Sequence, residues 1–71
     1  MSERVVVTLG EEWLNDPDTA AEELRRSGMH VEQVLDQLGV VTGSLPPDAV
    51  EKVRGLSGVL AVEAEETFGT L

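Results

Sequence analysis

GSLPPDAVEKVRGLSGVLAVEAEE, residues 43–66, is the stretch whose reading decides the fold. Gly43 and Ser44 read as a turn, and Pro46-Pro47-Asp48 opens a helix, because Pro47 tolerates a first-turn position that needs no amide donor. Asp48 suits the positive end of the helix dipole. Ala49, Val50, Val53 and Leu56 then fall on one side, and Gly58 is expected to stop the helix. Val59 to Ala64 forms a strand, with Leu60 and Val62 on one face and Ala61 and Glu63 on the other.

Working outward, Arg4 to Leu9 is rich in β-branched residues and puts Val5, Val7 and Leu9 on one side, Val6 and Thr8 on the other. Apolar character on both faces marks a central strand. Gly10 ends it, and Glu11-Glu12-Trp13-Leu14 leads into Asn15-Asp16-Pro17-Asp18, where Asn15 or Asp16 can cap a helix with Pro17 in its first turn. Ala20, Ala21 and Leu24 form its apolar stripe, Arg25 and Arg26 complement the dipole near its carboxyl end, and Gly28 stops it. The expectation is one helix of about ten to fifteen residues.

His30 to Leu38 leaves two readings open. Val31, Val34, Leu35 and Leu38 have helical spacing, i, i+3, i+4 and i+7. Against that, Val40 to Ser44 is strand-like and needs an antiparallel neighbour, and Leu38-Gly39 makes a plausible hairpin connection. A bulge near Val34-Leu35 would reconcile the two adjacent apolar residues with a one-sided sheet.

The Pro-opened helix, the Gly58-Val59 step and the Val62-Glu63 pair followed by acids together resemble the closing half of the subtilisin-propeptide type of proteinase inhibitor. The likeness is strongest over residues 43–66, weaker over Arg4 to Gly28 and weakest over His30 to Leu38, where it implies a strand. The implied order is then β-α-β-β-α-β, an α+β fold of the ferredoxin-like kind, with a four-stranded antiparallel sheet and two helices on one face. Residues 1–66 are expected to form this single domain and residues 67–71 a flexible tail. The other sheet face is left uncovered, and Val6, Val41 or Ala61 standing on it would favour docking.

The totals bound what such a domain can do. A chain of 71 residues holds one domain and buries roughly 60% of the surface its unfolded form exposes, so its stability is modest. It has no cysteine, which excludes disulfides and thiolate metal sites. Fourteen acidic residues against five basic ones give a net charge of −9, which repels phosphate backbones and anionic lipid, so neither nucleic acid nor membrane is an expected partner. The amino terminus lacks a basic region followed by an apolar stretch of roughly 7–15 residues, so a cytoplasmic location is expected. The acidity reads either as a solvated surface or as a face that meets a basic partner.

Few residues point to chemistry. His30 is the only histidine, without a second base or a cysteine to form a catalytic or metal constellation. Lys52, the only lysine, sits in a helix beside Glu51 and Arg54, whereas a Schiff-base nucleophile would need burial. The adjacent pairs Glu11-Glu12, Glu22-Glu23 and Glu65-Glu66 diverge in regular structure instead of converging on a metal. Gly39, Gly43, Gly55 and Gly58 match no phosphate loop and read as turns and helix stops. Trp13 reads as a cover for the small core. No enzyme activity, cofactor or metal is expected.

Val62-Glu63-Ala64-Glu65 resembles the Val-Glu-Glu-Asp stretch of the propeptide inhibitors, whose acids meet the amino ends of two helices on the protease. In that family the carboxyl-terminal segment lies extended in the protease cleft. The resemblance therefore implies a protease-binding set of Glu63, Glu65, Phe68, Gly69, Thr70 and Leu71, with Leu71 in the primary specificity pocket. Unlike a propeptide, the chain is expected to have no protease following Leu71 and no signal before Met1. The implied version is a stand-alone inhibitor or folding chaperone of a subtilisin-like serine protease, monomeric when free. The alternative is a small regulatory or assembly module of the same topology that acts through homodimerisation or protein-protein binding.

Overall fold

A computed structural model describes residues 2–65. Its elements are β1 (Glu3–Leu9), α1 (Glu11–Leu14), α2 (Pro17–Arg26), β2 (His30–Leu35), β3 (Val40–Leu45), α3 (Pro47–Arg54) and β4 (Val59–Ala64). The strands form one open sheet in the order β2-β3-β1-β4, and every adjacent pair is antiparallel. The chain is thus an α+β domain. β3 lies between β1 and β2, the strands that α2 connects, and β1 lies between β3 and β4, the strands that α3 connects.

Local chemistry sets most boundaries. The Asp16 carboxylate caps α2, accepting from the Thr19 amide at 3.4 Å and the Thr19 hydroxyl at 2.7 Å, with Pro17 opening the first turn. At the other end Met29 N–H donates to the Leu24 carbonyl and Gly28 N–H to that of Arg25, the paired closure that lets a helix stop at glycine. Glu11–Leu14, read from sequence as a lead-in, is a short helix of its own, α1. Its hydrogen bonds start from the Gly10 carbonyl, which accepts from the Trp13 and Leu14 amides.

β1 is central as expected. Val5, Val7 and Leu9 enter one core with Ala20 and Leu24 of α2, Val41 and Leu45 of β3, Ala49 and Val53 of α3, and Val62 of β4. Both long helices therefore pack on the same side of the sheet. Trp13 is buried in this core as the expected cover.

Four sequence expectations are corrected. The segment after His30 is a strand, but its bulge falls at Glu32, between the Val31↔Gly43 and Gln33↔Thr42 pairs, and not at Val34-Leu35. Gly43 lies inside β3 instead of in a turn. α3 ends at Arg54 with Gly55 as its cap, so Gly58 is not the stop. Leu60 and Val62 do not share a face, because β4 pairs Leu9 with Val59 and Thr8 with Ala61. Leu60 is the extra residue of that bulge and turns outward, 72% exposed, while Val62 is buried.

Two glycines are required by close approach. The Gly10 amide donates to the Gly58 carbonyl at 2.8 Å, which brings α1 down so that the Trp13 indole lies on Gly58. A Cβ at 58 would come within 2.6 Å of the ring's Cε2. At Gly43, which pairs with Val31 next to the bulge, a Cβ would collide with the His30 carbonyl oxygen. Gly55, by contrast, has φ −80° and ψ −6°, and a Cβ there meets nothing closer than 3.5 Å. Gly58→Ala and Gly43→Ala should each destabilise by about 1–3 kcal/mol. Gly55→Ala should be neutral or stabilise by about 0.4–1 kcal/mol through the unfolded state. Urea midpoints at unchanged m-value measure this, and equal losses at all three positions would contradict the packing described.

Candidate functional site

The sheet face turned away from the core is built in cross-strand rows. His30, Ser44 and Arg4 form the first, Gln33, Thr42, Val6 and Glu63 the second, and Leu35, Val40, Thr8 and Ala61 the third. Alternation along each strand makes this composition unavoidable once Val5, Val7 and Val41 point into the core. Val41 is therefore not on this face, contrary to expectation, and its neighbour Val40 is. Val6 and Val40 are themselves buried, and Thr8, Thr42 and Ser44 are half-buried. Polar groups make up most of what the face presents.

Arg4 organises its upper edge. Its guanidinium donates twice to Glu32, at 2.8 and 2.6 Å, and its Nε donates to Glu65 at 3.0 Å. Glu32 reaches Arg4 because the bulge adds one residue to β2, and Glu65 follows directly on β4. One side chain from the central strand thus joins both outer strands across the face. The two carboxylates raise the Arg4 pKa above its already high ordinary value, the Glu32 hydrogen bond contributing most. The same hydrogen bond holds the Glu32 carboxyl below the usual carboxylate range, against an opposing effect of desolvation. All three side chains remain at least about one-third exposed, so salt screens the pairs.

The sequence pointed to Glu63 and Glu65 as neighbours in one acidic run. In the fold they differ in kind. Glu65 is engaged by Arg4, whereas Glu63 is exposed and has no ion pair among the described residues. Phe68, Gly69, Thr70 and Leu71 lie outside the described residues. Arg4 and Glu32 were not singled out from sequence. The available signal was a lone cation next to the valine run of β1.

The described residues contain no group of three or more His, Cys, Asp or Glu placed to hold a metal. His30 is exposed on the first row and Lys52 is exposed on α3, so the two are isolated bases on separate elements. No described helix is long and apolar enough to cross a membrane.

Because the folded-state pKa of Glu32 is depressed, its contribution to stability is present above the ordinary carboxylate range. That contribution is lost as pH falls through the lowered folded value. In Arg4→Gln the Glu32 carboxyl should titrate upward, back toward the ordinary range, and the variant should lose less stability on acidification than the parent. Carboxyl chemical shifts followed across an acid titration test the first point and urea melts the second. An unmoved Glu32 titration would remove the role given to Arg4. Comparison with protein-family models, curated proteins and solved structures finds no match for this chain, so the reading of this face rests on its own residues.

Proposed function

We propose that this chain is a protein-binding module that carries out no chemistry. Specifically, it acts on a separate subtilisin-type serine protease as inhibitor or folding chaperone, with its sheet face docked on the enzyme. The sheet order β2-β3-β1-β4, read from the other edge as β4-β1-β3-β2, supports a ferredoxin-like sandwich made of two interleaved strand-helix-strand halves. The observation that carries the proposal is the polar face with Glu63 exposed on it, on the side opposite α2 and α3. A free carboxylate on a flat surface suits the positive end of a helix on a partner.

Glu63 is assigned the principal electrostatic contact. Glu65 is held by Arg4 and reaches a partner only by exchanging that pair. The segment Phe68 to Leu71 is proposed to enter the protease cleft by extended main-chain pairing. Both outer strands, β2 and β4, carry a bulge, and bulges disfavour edge-to-edge strand pairing. That weighs against the homodimer built through sheet edges and favours a monomer.

The direct test measures inhibition of a subtilisin by the full chain, by a form ending at Thr67, and by Glu63→Gln. Inhibition at micromolar concentration or better is expected from the full chain, with most of it lost on truncation. Glu63→Gln should weaken binding about two- to fivefold, the equivalent of 0.3–1 kcal/mol for one carboxylate at a helix terminus. No inhibition by the full chain, together with a stable dimer by light scattering, would replace this reading with the assembly module.

A further inference from the structure

We propose that the groove between α1 and the start of β4 is a second docking site, which takes a cationic, apolar segment of a partner protein. The groove has a volume of about 870 Å³ and is lined by Glu11, Glu12, Leu14 and Asn15 on one wall and by Ser57 and Leu60 on the other. It lies at the end of the sheet where Gly10 and Gly58 meet, away from the row that holds Arg4.

Two independent features converge there. The first is apolar. Leu14, Leu38 and Leu60 are the large hydrophobic residues left exposed among those described, at 44%, 70% and 72%. Leu14 and Leu60 line the groove, and Leu38 sits beside Gly39, where an added Cβ would come within 2.6 Å of Leu14 Cδ2. Leu60 is displayed only because the β4 bulge turns it out of register. A bulge beside an exposed leucine re-aims a side chain for contact.

The second feature is charge. Glu11 and Glu12 stand on the groove wall, and none of the chain's five Lys and Arg residues lines it. Glu12 has one weak partner, the Ser57 hydroxyl at 3.4 Å. A second copy of a chain carrying −9 would bring like charge to this groove, whereas a segment with leucine-like side chains flanked by Lys or Arg would match both features.

The test titrates the isotopically labelled chain with the peptide Lys-Leu-Leu-Lys-Leu-Leu-Lys, and separately with its Glu-for-Lys and Ser-for-Leu counterparts, while amide shifts are recorded. The cationic apolar peptide should shift amides from Gly10 to Asn15 and from Ser57 to Leu60, and its affinity should fall at least about fivefold between low and high salt. Leu60→Ser and the double variant Glu11→Gln/Glu12→Gln should each weaken it by a similar factor while retaining the parent spectrum elsewhere. The proposal is overturned by equal binding of the acidic peptide, by shifts confined to the Arg4–Glu63 face, or by no response to Leu60→Ser. A concentration-dependent dimer abolished by Leu60→Ser would assign the groove to a second copy instead and equally overturn it. Protease inhibition plays no part in this readout, so either proposal can fail without the other.

Discussion

Everything in this domain depends on β1 being hydrogen-bonded along both edges. Its partners are residues 40–45 on one side and 59–64 on the other, so the first strand cannot be satisfied until nearly the whole chain has been placed. Such long-range pairing is slow to form. It is also cooperative, because Val7, fully buried, touches a core to which β3, β4, α2 and α3 all contribute. A chain with no cysteine and 71 residues has no staple to replace this strand if it is lost.

The same strand divides the molecule into two chemistries. Val5, Val7 and Leu9 build the core with α2 and α3, and the even-numbered residues, Arg4, Val6 and Thr8, run up the opposite face. Packing accounts for the first set. On the second, Arg4 substitutes for a covering layer at one corner by drawing carboxylates from both outer strands toward the middle of the sheet. The acidic excess of the sequence is thereby distributed unevenly. Glu32 and Glu65 are partly neutralised, whereas Glu63, Glu11 and Glu12 have no ion pair among the described residues.

Much of the fold was legible because its signals are local. Pro17 and Pro47 open helices, Asp16 caps one, Gly28 closes one, and the valine run of β1 declares a central strand, each through backbone chemistry that acts within a few residues. The misreadings share a different cause. Gly43 looks like a turn residue and Gly58 like a helix stop, but both are glycine because His30 and Trp13, distant in sequence, come too close for a side chain. Leu60 fits the inward pattern of β4, yet a one-residue register shift against Leu9 sends it out. The helical spacing of Val31, Val34 and Leu35 dissolves once the extra residue at Glu32 is counted.

The sequence by itself determined the class of the domain, its central strand, the positions of its two long helices and the absence of thiol chemistry. These follow from propensity, alternation and composition, which need no knowledge of partners in space. Only the tertiary structure decided which acids are free. Glu63 and Glu65 are two residues apart and alike as letters, but only Glu65 meets a guanidinium contributed from the far end of the chain. It also decided where apolar surface is displayed, because a bulge is fixed by the register between two strands and neither strand encodes it alone.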